Sequence, residues 1–252
     1  MTVSVSSGAA RLAALLRSSD RVLALTGAGI SVPSGIPDFR SPGTGLWANV
    51  DPMQVAHIEV FLRDPGRFWR FYGQRFAALR GKRPNAAHLA LAELERRGVV
   101  EAVVTQNIDG LHRLAGTRDL IEVHGTIGTS SCLECDEQHE LEEVRRRLAA
   151  APDGVPRCSC GAALKPDVVL FGELLPEAAL ERASALAAAA DLLLCVGSSL
   201  EVYPVAQLPQ ITLSAGGAVA LVTIGPTPYD REAVVKLEGD VVDELGAVLA
   251  AL

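Results

Sequence analysis

The chain has 252 residues, a hydrophobic fraction of 49%, five cysteines and a formal net charge of −7. The acidic balance excludes the basic field that bulk nucleic-acid binding requires. The longest apolar run, ALAAAADLLLCVG, is interrupted by Asp191 and too short to span a bilayer, and the N-terminus lacks a basic segment leading into a long apolar core, so the protein is read as soluble and cytoplasmic, with no signal peptide and no membrane partner.

Leu12, Leu15 and Leu16 fall on one helical face behind Ser6 and Ser7, which predicts an amphipathic opening helix with a serine cap. VLALTGAG (22–29) then reads as a buried strand turning on Gly27 and Gly29. Glycines there let the backbone approach a ligand closely, and a helix N-terminus beyond them favours an anion such as a dinucleotide pyrophosphate. The spacing is not G-x-G-x-x-G, because Val32 stands at the third glycine position, and a second Gly/Pro-rich run, GIPDFRS, follows. Residues 41–84 hold a Pro/Gly loop and an aromatic helical stretch, FLRDPGRFWRFYGQRF.

Further strands are predicted over 100–107, 120–125, 191–199 and 218–225, with a short last one near Leu237–Val241. Helical patterns cover Asn85–Arg97, Pro176–Ala190, Ala206–Ala215 and Val241–Leu252. This alternation predicts an α/β fold: a Rossmann-like parallel sheet with helices on both faces. The strands end in GAG, TQN, HG, GSS and TIG, and this run of small and polar ends points to one shared cleft beyond their carboxyl termini. The expected division is a discontinuous Rossmann-like domain (1–40, 85–125 and 169–252), a loop and helical insertion (41–84), and a metal-binding insertion (126–168). The two insertions together would make a small lobe.

Cys132 and Cys135 form C-x-x-C, and Cys158 and Cys160 form a tighter C-x-C. Two such knuckles flanking a helical stretch, ELEEVRRRLAA, match a four-thiolate structural zinc site with no position left open for water. The short second knuckle suggests a somewhat strained site. Cys195, inside an apolar strand, is read as inert core. In TQNIDGLH (105–112), Gln106, Asn107 and Asp109 suit a carboxamide or ribose hydroxyl, but also an ordinary polar turn. His124 ends a strand facing the cleft and is the candidate general base. His88 and His112 are read as structural, and His57 and His139 as surface residues. Asp38 and Arg40 lie in a loop, where Arg40 suits a phosphate or a carboxylate anchor. VVLFGE (168–173) reads as an edge strand able to take up an extended peptide, or as a connector.

Taken in order, GAGIS, GIPDFRS, TQNIDGLH, the VHG histidine, the paired cysteines, FGE and GSSLEVYP resemble the sirtuin family of NAD-dependent protein-lysine deacylases, most of all its bacterial and archaeal branch. The resemblance implies NAD as co-substrate, one structural zinc, and acylated-lysine proteins or peptides as partners. It places Gly27, Ala28, Gly29, Ser31, Gly197, Ser198 and Ser199 by the NAD phosphates and ribose, and Asp38, Phe39 and Arg40 in the cofactor loop. Gln106, Asn107, Ile108 and Asp109 would line the ribose and nicotinamide pocket, with Asn107 and Asp109 joining His124 in the catalytic set. Thr223 and Val242 fall near the adenosine, and Val169, Phe171, Gly172, Glu173, Val202 and Tyr203 match the segments that hold the substrate peptide. The implied products are nicotinamide, O-acyl-ADP-ribose and free lysine. Tyr72 and Arg75 resemble the Tyr-x-x-Arg pair with which some sirtuins bind succinyl and malonyl groups. Val32 departs from a frequent small hydroxyl residue, Thr223 from a frequent asparagine, and C-x-C from C-x-x-C. Mono-ADP-ribosyl transfer and a non-catalytic NAD-binding module are the alternatives.

Overall fold

The computed structural model describes residues 7–38, 45 and 50–252. Its strands are β1 (Val22–Thr26), β2 (Ala102–Thr105), β3 (Leu120–Glu122), β4 (Gly125–Cys132), β5 (Gln138–Glu140), β6 (Leu164–Val168), β7 (Leu192–Val196), β8 (Ala218–Val222) and β9 (Val235–Leu237). The helices are α1 (Ser7–Ser18), α2 (Pro52–Val55), α3 (Ile58–Arg63), α4 (Pro65–Ala78), α5 (Ala86–Arg96), α6 (Leu111–Ala115), α7 (Leu141–Ala150), α8 (Glu177–Ala189), α9 (Leu208–Ser214) and α10 (Val241–Ala251). Among the described residues, no helix is long and apolar enough to cross a membrane.

The main sheet has six strands in the order β3-β2-β1-β7-β8-β9, all parallel. Parallel strands covered on both faces carry no polar alternation, and every residue of VLALT and LLLCV is buried. One hydrophobic cluster packs α1, α5 and α10 on one face, and a second packs α8 and α9 on the other. The crossover from β1 to β7 passes through the rest of the molecule, so the strand order reverses between these neighbours. The expected Rossmann-like architecture is therefore the observed one. α5 starts where its sequence predicts: the Asn85 side chain accepts from the Ala87 amide, and His88 closes a capping box.

The remaining differences have local causes. The last strand ends at Leu237, the first residue of the predicted stretch, because Asp240 caps α10 through the Val242 amide and draws Val241 into the helix. Residues 125–168 contain more than a helix between knuckles: β5, β4 and β6 form an antiparallel sheet. VVLFGE is not one strand. β6 ends at Val168, Phe171 makes a single parallel bridge to His57, and Gly172 is left-handed at φ 86°. A third cluster joins α4 to the antiparallel sheet, with Phe68, Trp69, Tyr72 and Phe76 packed on Ile127, Val144, Leu164 and Leu170.

The tightest point is the junction of β1 and β7. The Gly29 amide donates to the Gly197 carbonyl at 2.8 Å, and a Cβ on Gly197 would lie 2.3 Å from the Ile30 nitrogen. Gly197 also sits at φ 61°, a conformation that costs a non-glycine residue roughly 1–3 kcal/mol. Gly197→Ala should therefore lower the unfolding free energy from urea titration by about 2 kcal/mol or more. Gly246→Ala, inside α10 with nothing within 4 Å of the new methyl, should raise it by about 0.5–1 kcal/mol.

Candidate active site

The site is built where β1, β2, β3 and β7 end. The Gln106 amide continues the ladder by donating to the Thr26 carbonyl at 3.0 Å, and the Gly27 amide donates to the Val196 carbonyl at 3.0 Å. This brings the side chains of three loops together. Asn107 is 6% exposed, and its amide donates to the Gly27 carbonyl at 3.0 Å and to Ser31 Oγ at 3.2 Å. Ser31 Oγ donates to Asp109 Oδ2 at 2.7 Å, while Asp109 Oδ1 accepts from the Leu111 amide at 2.9 Å. Gln106 Nε2 donates to Ser198 Oγ at 3.0 Å.

Two buried histidines lie behind this network. The Asn85 amide donates to His88 Nδ1 at 3.4 Å, so the ring proton sits on Nε2, which faces Ser31 Oγ at 3.4 Å. The hydrogen bonds thus run in one direction, from His88 through Ser31 to Asp109. His112 Nε2 lies 3.0 Å from Thr26 Oγ1, which bonds Thr105 Oγ1 at 2.8 Å. Burial pushes His88 down to about 4, against the opposing pull of Asp109, and His112 down to about 3, with His88 adding to the effect. Both rings are neutral at physiological pH, which fits the structural role expected of them.

His124 follows β3 and is differently placed. Its Nδ1 lies 3.0 Å from the Gln106 carbonyl. A carbonyl only accepts, so Nδ1 carries the proton and Nε2 presents a lone pair. Burial lowers the His124 pKa, and the Gln106 carbonyl opposes that shift. The residue is partly open to solvent. The Val169 amide donates to the His124 carbonyl at 2.9 Å, which ties VVLFGE to the end of β3.

On the other side of VVLFGE, Phe171 donates to the Ala56 carbonyl and accepts from the Ile58 amide. His57 is half-buried and caps α3 by accepting from the Glu59 amide. Glu173 accepts from the Leu170 amide at 2.8 Å and pairs with buried Lys165 at 3.0 Å. Lys165 fixes this segment and carried no signal in the sequence. Tyr203 is 64% exposed beside partly buried Val202. Ser199 is partly buried beyond β7, Thr223 is buried beyond β8, and Val242 packs at the edge of the α1–α5–α10 cluster. Ala28 and Ile108 are partly buried, as is Asp38, the last described residue before Phe39 and Arg40, which lie outside the described residues. Val32 is 44% exposed.

Tyr72 is 5% exposed and stacks on Phe68, with ring centroids 4.4 Å apart. The Arg75 guanidinium lies 5.9 Å from the Tyr72 ring centre. Burial pushes the Tyr72 hydroxyl up to about 12; Arg75 opposes this and Glu173 adds to it. Burial also lowers Arg75, with Tyr72 opposing. Tyr72 therefore sits within electrostatic reach of Glu173 in the FGE segment.

The sulfurs of Cys132, Cys135, Cys158 and Cys160 all lie within 4.8 Å of one another. Cys132 is 3.4 Å from Cys160, and Cys135 is 3.6 Å from Cys158, so each contact crosses from one knuckle to the other. A tetrahedral zinc with Zn–S bonds of about 2.3 Å needs sulfurs roughly 3.8 Å apart. The four thiols fit zinc. Cys195 is fully surrounded in β7, as read from the sequence.

The Sir2 family model matches residues 27–204. The chain belongs to the Sir2 family. Among its curated Sir2 relatives, an NAD-dependent protein deacetylase of Sulfolobus acidocaldarius is 46% identical over 225 residues, covering 89% of this chain and 87% of that protein. An NAD-dependent protein deacylase of Pyrococcus furiosus is 45% identical over 84% of this chain and 85% of its own. A solved Sir2 with a p53 peptide and NAD+ superimposes with a TM-score of 0.87 at 41% identity, covering 95% of this chain and 96% of that one.

The buried pair of neutral histidines makes this Sir2 fold acid-sensitive. Unfolding returns each ring to an ordinary pKa near 6.5, so the unfolded chain binds more protons as pH falls below that value. Stability is complete above about pH 6.5 and is lost down towards pH 4 and 3. Each ring should cost about 2 kcal/mol at pH 5 relative to pH 7. Urea titrations of His112→Phe at the two pH values should show a smaller acid loss than the parent protein.

Proposed function

We propose that this chain is an NAD-dependent protein-lysine deacylase that removes acetyl groups and also succinyl or malonyl groups, with His124 as general base. The observation that carries the reading is His124 Nε2, a lone pair on a ring that the Gln106 carbonyl holds in one tautomer. The relatives' names supply the reaction class.

The residues at the strand ends fit NAD: close-packed glycines at Gly27, Gly29 and Gly197, and a buried set of amide, hydroxyl and carboxylate groups suited to ribose and carboxamide. NAD, when bound, would supply an electrophilic ribose carbon for the acyl oxygen, with loss of nicotinamide, and a ribose hydroxyl that takes over the acyl carbon, while one water supplies the oxygen and proton that let the lysine amine leave and O-acyl-ADP-ribose form. Gly27, Ala28, Gly29, Ser31 and the 197–199 turn would hold the phosphates and ribose, with Asp38, Phe39 and Arg40 as further cofactor-binding residues. Gln106, Asn107, Ile108 and Asp109 would orient the nicotinamide and its ribose. Thr223 and Val242 would border the adenosine. His124 Nε2 takes the proton of the ribose hydroxyl.

Val169, Phe171, Gly172 and Glu173 would face Val202 and Tyr203 across an extended acyl-lysine peptide. The Lys165–Glu173 ion pair holds the first of these segments in place. Arg75 is proposed to meet an acidic acyl group in a charge-assisted pair beside the Tyr72 hydroxyl. Desolvation of Tyr72 favours that role, because a hydroxyl with a pKa near 12 remains a donor.

The test is mass spectrometry of one peptide carrying acetyl-lysine or succinyl-lysine, with and without NAD. NAD-dependent loss of both acyl groups is expected, and His124→Ala should slow both by about 10²–10⁴-fold. Arg75→Met should slow succinyl removal by roughly 10–100-fold and leave acetyl removal nearly unchanged. Equal effects on the two substrates would remove Arg75 as an acyl selector. Adenine-labelled NAD leaving its label on protein, with no acyl loss, would replace the deacylase reading with ADP-ribosyl transfer. Because burial lowers the His124 pKa, the rate should hold through neutrality and fall only on the acid side of the ordinary histidine range.

A further inference from the structure

His139 was expected at the surface, yet it is 7% exposed. It lies on β5 directly opposite Ser130 of β4, and its Nε2 is buried without a hydrogen-bond partner among the described residues. Its nearest carboxylate oxygen, Glu137 Oε1, is 3.7 Å away, beyond hydrogen-bond distance. A ring nitrogen of His139 also lies within 4.8 Å of the Cys158 sulfur. An unmatched buried ring nitrogen beside a metal-binding sulfur needs a reason.

The hydrogen bonds of Cys158 supply one. As a thiol it donates to Glu137 Oε2 at 3.1 Å, and the Ser159 hydroxyl donates to the same oxygen at 2.6 Å. Zinc takes cysteine as thiolate, so loading the site removes the proton that holds Cys158 to Glu137. A thiolate and a carboxylate would then face each other with no hydrogen between them. Four thiolates around one divalent ion also leave two net negative charges, which call for nearby N–H donors. His139 Nε2 and, across the strand pair, the Ser130 hydroxyl are buried polar atoms there without a partner among the described residues, and the imidazole reaches the Cys158 side of Glu137.

We infer that His139 is an outer donor of the zinc site: in the loaded protein its Nε2–H donates to Cys158 Sγ, while Ser159 keeps the Glu137 carboxylate aside. A hydrogen bond to a ligating sulfur makes that sulfur a poorer base and holds its orientation. It would support the knuckle that has only one residue between its cysteines. Glu137 and Cys158 compete for the single N–H, so the carboxylate weakens the arrangement. This inference depends on the four-thiolate zinc site and is independent of the catalytic reading.

The experiment loads the full chain with zinc, measures metal content by mass spectrometry, and follows release to an excess of a chromogenic chelator. His139→Phe keeps the ring volume and removes the donor; release should be about tenfold faster or more. His139→Gln keeps an N–H and should release near the parent rate. One zinc per chain is expected throughout. Release from His139→Phe at the parent rate, or from His139→Gln as fast as from His139→Phe, would overturn the inference. So would two metal ions per chain, which would make Glu137, His139 and Cys158 a second ligand set sharing one sulfur. If His139→Phe fails to fold, the exposed Glu137→Gln decides. Slower release supports the competition, and unchanged or faster release refutes it.

Discussion

The contact on which the structure depends is backbone against backbone at the ends of β1 and β7. Gly29 donates to the Gly197 carbonyl, and neither residue has room for a Cβ. With side chains there, the two strands would splay at the point where the sheet reverses order. The segment after β1 would then not return over β2. That return lets Ser31 meet Asn107 and Asp109, and lets Gln106 reach Ser198. Three loops with little regular structure of their own become one rigid constellation because the peptide groups beneath them are in contact.

The three histidines around this constellation show how position alone divides one residue type into two roles. His88 and His112 are enclosed, neutral and linked by hydrogen bonds to serine and threonine hydroxyls. They contribute shape and directed N–H groups. His124 has one nitrogen fixed by a carbonyl and the other left with its lone pair. A neutral ring that accepts a proton is useful only where its product, an imidazolium, can be tolerated. Partial solvent access at His124 allows that, and the enclosed pair has no such access.

Much of this was legible in the sequence because parallel strands buried on both faces read as uninterrupted apolar runs, as VLALT and LLLCV do. The polar residues closing those runs marked the cleft, and the cysteine spacing marked the metal site. The small lobe was harder to read. GTIGTSSC forms β4 despite two glycines and a run of hydroxyl residues, because it is held between β5 and β6 and bends at an irregular register. Its pattern matches neither a helical nor a strand period. Lys165 and His139 were hidden for a related reason: a charged and a polar residue in short polar stretches read as solvated, and only the tertiary fold buries them.

The third hydrophobic cluster has a consequence for the order of assembly. Its residues come from two stretches, Ala56–Phe76 and Ile127–Leu170, and the chain between them builds α5, β2, α6 and β3. Roughly fifty residues must be closed into a loop before either stretch meets its partner, and that closure is unfavourable until the enclosed segment is itself compact. Pairing β1 with β2 closes a longer loop still, because α2, α3 and α4 lie between them. Zinc can gather the two knuckles earlier, because all four cysteines lie within the later stretch. The third cluster thus joins an aromatic helix to a sheet whose four cysteines lie close in the chain, across a segment that belongs to the parallel sheet and its helices.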